Sequence, residues 1–463
     1  MSTAAVRHGF AHPVRKWVGL ALAAVVAGAG AIVGVQQGQP VQHVIFYTVA
    51  TLALVVWAWN AFAYPQGGPA ADAAHETAPL GARAAWKAFL LRNRGLIIAL
   101  ALLLLAFIVA SLTAEGFFNG WNVLALAVIV LLLVVSVKVS RFFEANRSAF
   151  VGLMVLVALF AIGSFIVPGF ASTTNLKAML LFAAFLGLAC VGQTLVALLG
   201  ALDLSIPFVI GAANVGLLYL MGLGVPSWLA VIFILVLGTL IGLVNGILSF
   251  RLQGQALILT LGIGFAVSGL VQILTSIGSQ YMGNVFGQVP GWLRNLAAMN
   301  GHTFGLPLPP VILIWIALAV LLIVGMRRTV YGRFLYALGG NRAAASRQMI
   351  SERRYWWLAF SISGGVSAMA GCLLLGWSGG GFIGVGQPYL FMTLAAVVVG
   401  GTSLLGGYGG YGFTVIGVLV LQVLTSLLIG IGLQLEWQQF VIGLLILPMV
   451  ALYARSPHIR TQV

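Results

Sequence analysis

The stretch "LLGALDLSIPF", Leu198 to Phe208, sets one carboxylate, Asp203, between two apolar runs near 176–200 and 206–222. A helix needs roughly 20 residues to cross about 30 Å of hydrocarbon, and further runs of this kind recur along the chain, broken by Gly, Pro, Asn and Arg clusters. Barrel strands would be about half as long and would alternate in polarity. With 61% of its 463 residues hydrophobic and only 6% charged, the chain has too few polar side chains to cover a water-facing surface. The fold class is therefore an all-α polytopic membrane protein. Expected spans lie near 17–35, 41–63, 95–112, 121–137, 148–167, 176–200, 206–222, 226–250, 255–276, 310–326, 356–376, 387–400, 411–430 and 438–453, about fourteen helices.

The formal net charge of +15 would suggest nucleic acid in a soluble protein. Here it orients the bundle. With the N-terminus in the cytoplasm, only Lys177 and Arg294 of the 22 basic residues fall outside, which is the positive-inside bias acting over the whole chain. Both termini are then cytoplasmic, and no nucleic-acid partner is needed. The first apolar run is too long for a signal-peptide core and lacks a small-residue cleavage boundary before "QQGQP", so it reads as a retained helix.

Enzyme and metal chemistry find no constellation. Cys190 and Cys372 sit in apolar segments and read as small core residues. The six histidines are scattered, with no partner at ligand spacing. Four lysines, none in a phosphate-cradling glycine loop, leave no nucleotide site, so any ATP must be bound by another polypeptide. No cofactor is expected. Of the seven acidic residues, Asp203 alone falls near membrane depth, which argues against a proton relay.

Asp203 has two readings. In one, "DLSIP" starts a helix: Ser205 caps, Pro207 sits in the first turn, and the carboxylate complements the helix dipole. In the other, the carboxylate faces a translocation path. Exposure to lipid is the least favoured reading, since a charge there costs several kcal/mol. Gln193, Thr194, Ser205, Asn214, Asn245 and Gln272 are the further polar candidates for such a path, each of which also reads as an interhelical hydrogen-bonding residue.

The segment "MRRTVYGRFLYALGGNRAAASRQMISERRYWW", Met326 to Trp357, holds seven arginines against one glutamate. "GGN" can end one short helix with Gly339 or Gly340 in a left-handed cap, while Asn341 caps the next. The small face of Ala343, Ala344 and Ala345 suits close approach by a partner. A basic loop on anionic lipid is the plainer alternative.

Four stretches together resemble the ribose-type permease subunits of bacterial ATP-binding-cassette importers, relatives of the branched-chain amino-acid permeases. They are "GQTLVALLGALDLSIP" (192–207), "ILTLGIGFAVSGL" (258–270), "YGRFLYALGGNRAAA" (331–345) and "VGGTSLLGGYGG" (399–410). Ala201, Pro207, Ala256 and Met349 depart from the residues usual in that family, Met349 standing where a glycine closes the loop.

The resemblance implies a ten-helix core that pairs with a second permease subunit and receives a small polar solute, typically a monosaccharide, from an extracytoplasmic binding protein. It also implies docking of separate ATPase subunits through Gly332, Arg333, Tyr336, Gly339, Asn341, Ala344 and Ala345. The chain would then be a multi-pass protein of the bacterial inner membrane bilayer and not itself an enzyme. The alternative is an ATPase-independent secondary transporter or a lipid-flipping protein.

About four helices precede that core. Residues 93–122 align with 146–175 at a constant offset of 53, pairing Asn93 with Asn146, Arg94 with Arg147 and Phe117 with Phe170. The expected organisation is a two-helix extension and linker over 1–92, a duplicated helix pair over 93–145, and the permease core over 146–463.

Overall fold

A computed structural model describes residues 147–252, 256–276, 283–303, 305–434 and 436–444. The expectations placed on residues 1–146 and 445–463 lie outside them. The chain divides into two units, 1–170 and 171–463. In the first, the described helix is α1, Arg147–Ile166.

The second unit holds the bundle. Its long helices are α2 (Thr173–Leu198), α3 (Ile206–Gly222), α4 (Ser227–Arg251) and α5 (Ala256–Ser276). A short α6 (Gly291–Ala297) leads to α7 (Pro310–Arg328), and two small helices follow, α8 (Val330–Gly340) and α9 (Arg342–Arg347). The unit continues with α10 (Glu352–Ser378), α11 (Tyr389–Gly400), α12 (Tyr411–Gly430) and a final helical stretch over 436–444. Seven segments among the described residues are long and apolar enough to cross a membrane, and two shorter apolar helices, Val151–Ile166 and Ile206–Gly222, accompany them. Helix positions in this region agree with the sequence expectation to within a few residues. One difference is a two-residue antiparallel ladder, β1 (Asn284–Val285) on β2 (Gly381–Phe382), with Asn284 opposite Phe382. So short a ladder has no periodicity for a sequence pattern to show.

Burial follows from where each helix sits. From Ala183 to Leu198 every residue of α2 is buried, the mark of a helix surrounded by others. By contrast α4 buries only a stripe, Ala230, Ile234, Gly238, Gly242, Asn245, Gly246 and Ser249, which runs along α10. Its small residues let the two backbones approach, so that a Cβ at Gly242 would meet the Phe360 carbonyl. The opposite face of α4 exposes Trp228, Ile232, Phe233, Val236 and Leu240, and α5 exposes Ile258, Phe265, Leu270 and Ile273. In water such surfaces would drive aggregation; against lipid tails they are solvated.

Two stretches of irregular backbone interrupt the helices. After α2 the chain reverses at Gly200, whose φ is +75°, and α3 begins only at Ile206. Between α10 and α11 a second break covers Gly379–Pro388, including one 3₁₀ turn, Ile383–Gly386. The second break packs against the first turns of α3, just past the first break, since Gly386 lies against the carbonyl of Pro207 and Gly211 against that of Ile383. Asp203 is bonded to Ser363, 11 residues along α10 from Glu352 or about 16 Å of helix rise, so the first break reaches well into the bundle. Non-helical backbone at that depth persists where protein surrounds it.

Candidate functional site

Asp203 is 2% exposed and is held by three donated hydrogen bonds. Its Oδ1 accepts from the Ser205 amide at 3.0 Å and the Ser205 hydroxyl at 2.6 Å. Its Oδ2 accepts from the Ser363 hydroxyl of α10 at 2.6 Å. Asn245 of α4 donates Nδ2 to Ser205 Oγ at 2.8 Å, and the Leu204 amide donates to Thr260 Oγ1 of α5 at 3.0 Å. Six residues thus tie the break after α2 to α4, α5 and α10. Three donors satisfy both oxygens of this buried acid, which would otherwise bear the full desolvation cost of an unpaired polar group. The expectation that Ser205 caps α3 is corrected: Ser205 occupies the cap position without a side-chain cap bond, its hydroxyl being turned to Asp203. Pro207 lies in the first turn, as expected.

The other polar candidates do not gather around Asp203. Gln193 is fully buried on α2, and neither atom of its amide has a hydrogen-bond partner among the described residues. Thr194 donates to Cys190 O at 2.7 Å and shares a 2.9 Å contact with Thr414 Oγ1 of α12. Asn214 bridges α10 and β2, donating to Gly371 O at 3.3 Å and accepting from the Phe382 amide at 2.8 Å. Gln272 donates to Ser268 Oγ at 3.2 Å on its own helix. Ser363 was missed by sequence reasoning, and Thr260 was noted only as part of a motif.

A second assembly lies at the arginine-bearing end, where α8 and α9 pack onto the bundle. Leu335, Leu338 and Ala345 join a buried cluster with Leu195, Val196, Leu198, Trp356, Phe360 and Tyr411. Thr329 caps α8, accepting from the Gly332 amide at 3.2 Å, and Asn341 caps α9, accepting from the Ala344 amide at 2.9 Å. The Asn341 expectation holds. The left-handed cap at Gly339 or Gly340 does not: neither has positive φ, and α8 runs through both. Gly339 is there for contact, because a Cβ would strike the Leu198 carbonyl and the Gly407 amide. The "GGN" and "GGTSLLGGYGG" stretches thus pack glycine on glycine, and the Gly407 amide donates to Leu198 O at 3.0 Å.

Tyr336 closes the same joint, donating its hydroxyl to Gly409 O at 2.8 Å. Burial pushes that phenol above its ordinary pKa and outweighs the opposing charge of Arg327, so the donor proton stays in place. Arg333 and Ala344 are exposed, whereas Gly332 and Ala345 are buried. Arg342, which is not among the docking residues the resemblance implies, reaches inward to the Leu199 carbonyl at 2.9 Å. Among the described residues no three His, Cys, Asp or Glu side chains gather as metal ligands.

Comparison with known proteins decides the class. A family model described as "Branched-chain amino acid transport system / permease component" matches residues 175–450, more than half of the chain. The chain belongs to this permease family. The permease is 29% identical to the ribose import permease protein RbsC of Haemophilus influenzae over 68% of its own length and 94% of that protein. It is 33% identical to the probable ABC transporter permease protein YphD of Escherichia coli, covering 68% and 92%. With the fructose import permease protein FruG of Bifidobacterium longum it shares 30% identity over 65% and 87%. No solved structure matches it. The permease is a multi-pass membrane component of an ABC import system, a transport subunit and not an enzyme, and these relatives lend no support to the ATPase-independent alternative.

Proposed function

We propose that this permease moves a small polar solute, a monosaccharide, inward across the bacterial inner membrane, the solute being delivered by an extracytoplasmic binding protein and the motion driven by separate ATPase subunits. The observation that carries the reading is the joint at the arginine-bearing end: a capped pair of short helices is packed by glycines and buried leucines onto the end of the central helix α2. Arg327, Arg328, Arg333, Arg347, Arg353 and Arg354 lie at that end, which supports a cytoplasmic position for it and, by the positive-inside bias, for both termini. The exposed faces of α8 and α9, with Arg333 and Ala344, form the ATPase docking surface, while Gly332, Tyr336, Gly339, Asn341 and Ala345 hold that surface in shape.

Sugar import by the relatives supports the substrate class, because RbsC and FruG are named for ribose and fructose. Within the bundle we assign the path to the neighbourhood of the two irregular breaks, where the second packs on the first turns of α3. Backbone carbonyls and amides not consumed by helices are available there to solute hydroxyls. Gln193, Thr194, Asn214, Asn245 and Gln272 remain candidate path residues, Gln193 being supported by its unpaired amide. For Asp203 the three internal bonds favour a joint over a solute ligand, with Ser205 its partner in that joint. We further propose a core over 146–463 that pairs with a second permease subunit, preceded by the extension over 1–92 and the helix pair over 93–145. This makes ten core helices and four added ones.

Affinity purification of the tagged permease from its native membrane tests the reading. It predicts recovery of an ATP-binding-cassette ATPase, and of a soluble binding protein when sugar is supplied. Intact permease recovered without an ATPase under conditions that retain subunits would refute it.

A further inference from the structure

The residues that fasten α8 and α9 to the bundle differ in kind. Leu335, Leu338 and Ala345 are apolar contacts, which resist separation but tolerate sliding. Arg342 is directional. Its guanidinium donates through Nη2 to the Leu199 carbonyl at 2.9 Å and pairs through Nη1 with Glu352 Oε1 at 3.4 Å. It also lies 5.3 Å from the ring centre of Trp356. Glu352 Oε1 in turn accepts from Trp356 Nε1 at 3.1 Å, so the acid and the ring that receive the arginine are locked together on the first turns of α10. This is the one ion pair found among the described residues.

The acceptor at the far end gives the contact its meaning. Leu199 follows the last residue of α2, where helix carbonyls lack intrahelical partners and the dipole is negative, so a cation is favoured there. Four residues further on is Asp203, beyond the turn at Gly200, and Asp203 is bonded to Ser205 and Ser363. A displacement of α9 therefore reaches the buried carboxylate through one side chain and five residues of backbone.

We infer that Arg342 is the positioning residue that transmits movement of the ATPase-facing helices to the Asp203 joint. The inference rests on the reading of α8 and α9 as the ATPase docking surface. Lysine cannot replace Arg342 in this role. A compact ammonium can satisfy the Leu199 carbonyl or Glu352, whereas the planar guanidinium serves both while stacking on Trp356.

The test compares wild type, Arg342→Lys and Glu352→Gln, each reconstituted in lipid vesicles with the ATPase and the binding protein that co-purify with wild type. Three quantities are read: ATPase retained on the permease, sugar taken up per ATP hydrolysed, and amide hydrogen exchange over 199–205 with and without vanadate-trapped ATPase. Arg342→Lys should keep the ATPase bound and hydrolysing while uptake per ATP falls at least tenfold. Its 199–205 amides should no longer respond to trapping. Glu352→Gln, which leaves the bond to Leu199 intact, should fall two- to threefold, and it carries the test if the lysine variant fails to insert.

Wild-type uptake per ATP in a docked Arg342→Lys, or no loss in Glu352→Gln, would overturn the role of Arg342 alone. Failure of the ATPase to bind wild type would instead overturn the docking reading beneath it.

Discussion

Ser363 on α10 and Asp203 in the break after α2 lie 160 residues apart and are joined by a 2.6 Å hydrogen bond with both residues fully enclosed. The serine hydroxyl is the only donor to Asp203 Oδ2 among the described residues, so Ser363→Ala would leave a carboxylate oxygen buried and unpartnered. The expected loss is about 1–3 kcal/mol of stability, seen as a lower melting temperature in detergent, with insertion unaffected. Asp203→Asn should be milder, because the amide oxygen can keep the Ser205 donors and the Ser363 hydroxyl can turn to accept. A Ser363→Ala protein as stable as wild type would mean that the bond contributes nothing.

Adjacent glycines at the end of α8 should answer differently to one methyl group. Gly339→Ala drives a Cβ into the Leu198 carbonyl and the Gly407 amide, whereas Gly340→Ala meets nothing within 4 Å. The first should sharply reduce folded protein and ATPase retention. The second should match wild type or improve on it by up to about 1 kcal/mol, since alanine is the better helix former. Purified yield and thermal unfolding of the two variants decide between contact and backbone conformation as the reason for "GG".

Ala344 and Ala345 differ by about 100° around α9, and the structure turns them to different faces, Ala344 outward and Ala345 into the core at 3% exposure. Ala344→Trp should therefore fold and insert normally yet lose the ATPase and its stimulated hydrolysis. Ala345→Trp should fail earlier, as misfolded protein, because overpacking a filled site costs about 1–3 kcal/mol or more. Pull-down and size-exclusion profiles separate the two outcomes.

Met349 holds a left-handed backbone, φ 57°, with its side chain 95% exposed. Its sequence context had already marked it as a methionine where the resembling family uses glycine. Glycine removes the steric penalty of this conformation but adds freedom to the unfolded chain, so Met349→Gly should stabilise the protein by about 0.5–1 kcal/mol. An unchanged or lower melting temperature would contradict the assigned backbone strain.

These cases show what the sequence carried and what it did not. Asp203 was conspicuous because a lone acid in an apolar run is expensive, and the helices around it were legible because length and hydrophobicity define a span. Ser363 was not, since a serine inside an apolar helix is common and its partner lies on another helix. Gly339 was misread for a related reason: glycine serves either positive φ or close approach, and only the fold shows Leu198 and Gly407 standing opposite it. Arg342 was one of seven arginines in a basic loop, and nothing in its spacing distinguished the one that turns inward. The split between Ala344 and Ala345 was within reach, because helical periodicity alone puts neighbours on different faces.

The most direct measurement of the central claim is uptake of labelled monosaccharide by vesicles that contain the permease with its co-purified ATPase and binding protein, energised by ATP with a protonophore present. The account predicts uptake that needs all three components and ATP hydrolysis, and that persists when the proton gradient is collapsed. Uptake by the permease alone, or uptake abolished by the protonophore while ATP remains, would contradict it.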